Sequence, residues 1–183
     1  GEATLDASGN FQTESAGGDN HVDVVLGQND GSTDNGVDID AGNTPAIDVK
    51  TDSGDTVDIQ IGSATTNELH SDEPAISITG GGDVTISGDR SGSLYSEGIT
   101  VEDGSSLTIK SGLVDVNGNV AVENNADLTV KDGSLDVSGR IGQGGGDITI
   151  NGGIYTSSGW AVYCFEGANP NASTVTINDG TFS

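Results

Sequence analysis

The chain has 183 residues, 5 of them Lys or Arg against 29 Asp or Glu, for a formal net charge of −24. A surface of that sign repels phosphate backbones and anionic membranes, which excludes nucleic acid as a partner, and no stretch approaches the ~20 apolar residues of a membrane span. Leu, Ile, Val and Phe total 41, close to the level at which strongly charged chains stay unfolded, but their strict alternation with polar residues is an order that an unfolded segment has no reason to keep.

Residues 1–21 carry only a faint alternation and are expected to form an incomplete first turn or cap. From residue 22 short alternating runs recur: VDVV at 22–25, VDIQ at 57–60, VTIS at 84–87, LTIK at 107–110, LTVK at 128–131, ITIN at 148–151 and VTIN at 175–178. Their starts lie 35, 27, 23, 21, 20 and 27 residues apart, a period near 20 with variable insertions. The longer segments LTIKSGLVDVNG (107–118) and LTVKDGSLDVSG (128–139) agree at seven of twelve positions. Self-similarity at a fixed period marks a repeat architecture.

One period resolves into three runs, LTIK (107–110), LVDV (113–116) and VAVE (120–123). Between them stand Ser111-Gly112 and Asn117-Gly118-Asn119, turn formers that accept positive φ at low cost. Helices have almost no place, because no window of useful length shows apolar spacing of three and four and the 30 glycines interrupt every candidate. Equivalent residues that return once per period require a coil of three strands per turn, each strand pairing in parallel with its counterpart one turn away. The reading is an all-β, right-handed parallel β-helix (β-solenoid) over residues 22–183, with three short strands per turn and about six to seven turns, its hand taken from the general chirality of parallel crossovers. Leu107, Ile109, Leu128, Val130, Ile148 and Ile150 should stack inside, and Thr108, Thr129 and Thr149 should form an outward column. The chain opens at Gly1, contains no Met and stops at TFS partway through a period. It is therefore expected to be a piece of a larger multidomain chain, since an open sheet edge invites aggregation.

Asp83, Asp127 and Asp147 each stand just before the first strand of a turn and should stack near one corner, with Ser106 interrupting the column. Carboxylates stacked this way repel, and a bound Ca²⁺, which takes six to eight oxygen ligands, would turn that repulsion into attraction. The alternative is that each Asp caps a turn by accepting backbone N–H groups. Asp115 and Asp136 form a second stack. Lys110 and Lys131 occupy equivalent outward positions; they could serve a β-elimination, or balance neighbouring acids such as Asp132. Cys164 is single, so it cannot form an internal disulfide, and it cannot build a zinc site with His21 and His70 far away in sequence. Four of the seven aromatic residues fall in GGIYTSSGWAVYCFEG: Tyr155, Trp160, Tyr163 and Phe165. Exposed, these rings would stack on the C–H faces of sugars; buried, they would plug the core.

The run NTPAIDVKTDSGDTVDIQIG (43–62) and the run AISITGGGDVTISGDRSGSLYSEGITVEDGSSLTIKSG (75–112) resemble the β-helix repeats of large cell-surface and secreted proteins of Gram-positive bacteria, often gut or cellulose-degrading species. The resemblance covers about residue 22 to the end. An extracellular or cell-surface bacterial location is expected from the acidity, the richness in Gly, Ser, Thr and Asn and the lack of cysteine pairs, and some relatives in the resembled group are calcium-associated carbohydrate-binding domains while others are adhesin segments. The shared motifs DVTISG and SSLTIKSG are turn signatures, and no ligand residue of the group matches a position here. The expected function is a non-catalytic module that binds a polysaccharide or a host or cell-surface glycan, or acts as an adhesin segment. A ligand-free structural stalk and a polysaccharide lyase or glycoside hydrolase are the alternatives.

Overall fold

The structure is a computed structural model that describes residues 2–5, 11–14, 20–29, 34–142, 144–157, 162 and 174–183. Every helix-or-strand element among them is a β-strand. The chain winds three strands to a turn, and successive turns stack strand on parallel strand to build three sheets.

The first sheet holds His21–Leu26, Thr56–Ile61, Asp83–Gly88, Ser106–Ile109, Asp127–Val130, Asp147–Ile150 and Val175–Ile177. Its register sets Val22 beside Val57, then Val84, Leu107, Leu128, Ile148 and Val175. These are the residues that open the repeated runs. The second sheet stacks Asp38–Asp40, Thr66–His70, Ser93–Ser96, Leu113–Val116, Ser134–Val137, Ile154–Ser157 and Thr181–Phe182. In the third, Ile47–Lys50, Ile76–Thr79, Ile99–Val101 and Val120–Val122 are followed, among the described residues, by single bridges at Ile141 and Val162.

Among the described residues about five turns are therefore closed on all three sides, the fifth through the Val120 to Ile141 bridge, which corrects the expected six to seven. The shortfall has a local cause: four of the five residues at 142–146, where an alternating run would be needed to continue the third sheet, are glycines, which bring no side chain to stack. At the opposite edge Phe11–Glu14 pairs in parallel with Ile47–Lys50 and antiparallel with Glu2–Leu5. The antiparallel pair ends the parallel stacking there.

Alternation decides which residues fill the coil. Leu107, Ile109, Leu128, Val130, Ile148 and Ile150 are all buried, while Thr108, Thr129 and Thr149 align outward on adjacent strands. Each fully buried Ile or Leu contributes about 1.5–3 kcal/mol relative to exposure. Two polar side chains also enter the second-sheet side of the core, Asn67 and Ser96. Asn67 Oδ1 accepts from the Val37 N–H at 3.0 Å, and its amide donates to Thr65 Oγ1 at 2.9 Å and to the Ser93 carbonyl at 3.0 Å. Ser96 donates to the Gly98 carbonyl at 2.9 Å. With partners made, their burial is tolerated. The corners are held by similar means: buried Asp55 accepts from the backbone N–H groups of Asn20 and Asp52. Packing at the corners is tight, for a Cβ on Gly80 would lie 2.0 Å from the Thr51 carbonyl oxygen.

Candidate functional site

Of the aromatic cluster, Trp160, Tyr163 and Phe165 lie outside the described residues, as does Cys164. Tyr155 lies in the coil beside Leu135 and is 2% exposed. Its hydroxyl donates to the Gly152 carbonyl, and its ring stacks on Phe182 with centroids 4.8 Å apart and planes 15° from parallel. Burial, with the charge of Asp132 adding to it, pushes its phenol up to about 12. A ring enclosed in this way plugs the core and offers a sugar no open face.

The acidic column is present in the first sheet, where Asp83, Ser106, Asp127 and Asp147 stand beside one another on successive strands. Asp83 accepts from the Ser106 hydroxyl at 2.5 Å, and Asp147 accepts from the Thr174 N–H at 2.8 Å. Burial, then the neighbouring Asp147 and Asp83, raises the pKa of Asp127. Asp115 and Asp136 are likewise paired in the second sheet, and burial followed by the Asp136 charge raises the pKa of Asp115.

Register also assembles two clusters that sequence reasoning missed. In the first sheet, His21 Nε2 lies 3.2 Å from Asp23 Oδ1 and 4.0 Å from Asp58 Oδ2, while Nδ1 shares a 2.7 Å hydrogen bond with the Thr56 hydroxyl. In the second, His70 Nε2 lies 3.3 Å from Glu68 Oε2 and 3.9 Å from Asp38 Oδ1, and Nδ1 faces Glu97 Oε1 at 3.6 Å. Glu97 is itself fixed, accepting from the Ser71 N–H at 2.9 Å and from the Tyr95 hydroxyl at 3.5 Å. Desolvation alone would lower the His70 pKa, but hydrogen bonds to Glu68 and Glu97 and the charges of Glu97 and Asp38 outweigh it and raise the value. The signal was present in the one-letter string as HVD (21–23) and ELH (68–70), which put an imidazole and a carboxylate on the same face of a strand. Their third members lie 35 and 30 positions away from Asp23 and Glu68, so only the register reveals them.

A groove of about 440 Å³ follows the corner between the second and third sheets across three successive turns. Thr100 and Ala121, neighbours on the outer face of the third sheet, form part of its floor, and Asp72, Glu97, Asn117 and Asn119 supply polar side chains. Among the described residues its lining carries carboxylates and amides but no Lys, Arg or His.

Comparison with protein-family models, with curated proteins and with solved structures finds no match to this chain.

Proposed function

We propose that this chain is a non-catalytic β-solenoid module of a larger protein, secreted or displayed at a bacterial cell surface, that binds carbohydrate along the corner between its second and third sheets. The observation that carries the reading is the groove. It spans three turns, has a small-residue floor at Thr100 and Ala121, and is bordered by carboxylate and amide side chains. Carboxylates accept hydrogen bonds from sugar hydroxyls, amides both donate and accept, and a floor without bulky side chains lets a ring approach the sheet. A neutral glycan meets no electrostatic barrier at a surface of net charge −24, whereas an anionic chain needs a bridging cation.

Calcium fits the first sheet only in part. Asp127 and Asp147, on adjacent strands, would supply two of the six to eight oxygens it takes, the rest coming from water. An ion there lies on a different sheet from the groove, so its effect is on folding, by binding the native state alone. Trp160, Tyr163 and Phe165 remain candidates for stacking against sugar. The basic residues that a lyase would use, Lys110 and Lys131, extend strands of the first sheet and do not line the groove, which supports binding over catalysis. A structural spacer is the second reading, favoured by the unbroken stack from Val22 to Val175.

A glycan array probed with and without calcium tests the proposal, with Thr100→Trp to fill the groove floor and Trp160→Ala to remove one aromatic candidate. The expected result is salt-insensitive binding to a neutral glycan that Thr100→Trp abolishes without lowering the melting temperature. Absence of binding to any glycan would leave the spacer reading, and release of unsaturated or reducing sugar would establish an enzyme.

A further inference from the structure

The chain contains two histidines, and both are set in the same arrangement on the outer face of a parallel sheet. In each, one carboxylate sits two residues away on the same strand: Asp23 for His21 and Glu68 for His70. A second carboxylate stands directly beside the first on the adjacent strand, Asp58 beside Asp23 and Asp38 beside Glu68. Both carboxylates approach Nε2, and within each trio the ligand atoms lie within 4.8 Å of one another. In each, Nδ1 faces an oxygen of a further residue, Thr56 Oγ1 or Glu97 Oε1.

We propose that these are two binding sites for a divalent transition-metal ion of the zinc class, each using one imidazole Nε2 and two carboxylate oxygens and leaving further positions to water. The inference is independent of the carbohydrate reading.

The distances suit such an ion. Metal bonds of about 2.0–2.2 Å at the tetrahedral angle place ligand atoms roughly 3.3 Å apart. The Nε2 to oxygen separations are 3.2 and 4.0 Å in one site and 3.3 and 3.9 Å in the other, so side-chain torsions close the remainder without moving the sheet. The Nδ1 partner matters as much. A ligating histidine generally donates its second N–H to a nearby oxygen, which fixes the ring and selects the tautomer, and that partner is present in both sites. The imidazole also sets the class of ion, since zinc, nickel, cobalt and copper accept imidazole nitrogen while calcium and magnesium prefer oxygen alone. With the ring proton on Nδ1, Nε2 offers its lone pair to the metal, and where the ring is imidazolium binding also releases the Nε2 proton to buffer. A simple ion pair between imidazolium and carboxylate is the competing account, and it binds no metal.

The test is calorimetric titration of the full chain with zinc chloride at about pH 7.5, with millimolar calcium present throughout. The expected result is two equivalents of zinc, with His21→Gln and His70→Gln each removing one and the double variant removing both. Thr56→Val and Glu97→Gln, which leave all ligands in place, should weaken their own site by about 10–100-fold. Melting temperatures in chelator show that each variant still folds. Undiminished zinc binding in the double histidine variant, displacement of zinc by the calcium, or an absence of zinc binding in the native chain would each overturn the proposal.

Discussion

Replacing Asp127 with Asn should stabilise the fold. Asp127 stands one strand from Asp147 and two from Asp83, so its charge meets one neighbour at about 4.8 Å and another at roughly twice that distance. Two like charges about 4.8 Å apart repel by about 0.9 kcal/mol in a fully aqueous dielectric and by roughly 3.5 kcal/mol at an effective dielectric of ~20. The Asp127 side chain is exposed to solvent, although the strands around it remove part of its hydration; the exposure favours the lower figure, and the more distant Asp83 lies near the ~8–10 Å screening length. Removing the charge should therefore contribute about 1 kcal/mol, a rise of about 2–4 °C in melting temperature for a chain of this size. Little is lost in exchange, because the Ser106 hydroxyl and the Thr174 N–H bond to Asp83 and Asp147 rather than to Asp127. The assay is thermal unfolding by circular dichroism at low ionic strength with chelator, repeated at high salt, where the gain should shrink. A lower melting temperature for Asp127→Asn under the first condition would refute the reasoning, since the carboxylate would then be holding a bond rather than suffering repulsion.

Stability should also depend on pH in two opposed ways. Burial leads in raising the pKa values of Glu102, Asp115 and Asp127, followed by the charges of Glu123 and Asp103, of Asp136, and of Asp147 and Asp83 respectively; the stability they contribute is complete below about pH 4 and lost as pH rises through their raised values. Asp89 is the reverse, held down to about 2 first by the Ser63 hydroxyl and then by Ser91; its contribution is lost as pH falls from about 4. The melting temperature should rise on acidification from neutrality and fall again below about pH 4, and a steady fall from neutrality would contradict this assignment. Ile109, buried between Ile86 and Val130, should cost about 2–5 kcal/mol as Ala in urea denaturation, and Asp there should abolish the cooperative transition. Gly104 and Gly80 both have positive φ, 73° and 96°, but a Cβ at Gly104 meets nothing within 4 Å while at Gly80 it would lie 2.0 Å from the Thr51 oxygen. Gly104→Ala should cost about 1–2 kcal/mol and Gly80→Ala clearly more; equal costs would show that the corner yields.

The alternating runs were enough to place the first sheet residue by residue, because the core residues that open them are the ones that stack. The turn count was less legible. Ile141 lies in a segment too rich in glycine to keep alternating, so its single bridge could not be counted from pattern, and the hand of the coil rested on general chirality rather than on any residue of this chain. Tyr155 shows another limit: Ile154 and Tyr155 are both apolar, and only pairing with Ser134 and Leu135 turns Ile154 out, at 46% exposed, and Tyr155 in. Asn67 stands at a core position that hydrophobicity would assign to an apolar residue, and its backbone partners become visible only once the neighbouring turns are stacked. The Asp83, Asp127 and Asp147 column was readable because the period is nearly regular there. The histidine clusters were not, because the long insertions in the first turns hide which acids lie beside Asp23 and Glu68.

The most direct test of the central claim is to map binding residue by residue, recording backbone amide NMR shifts as a neutral oligosaccharide from the array is added to the full chain. Binding in the proposed groove should move the amides of Gly98, Thr100, Asn117, Asn119 and Ala121, and leave those of Thr108, Thr129 and Thr149 on the first sheet unchanged. Shifts confined to the first sheet, or no shifts at saturating sugar, would contradict it.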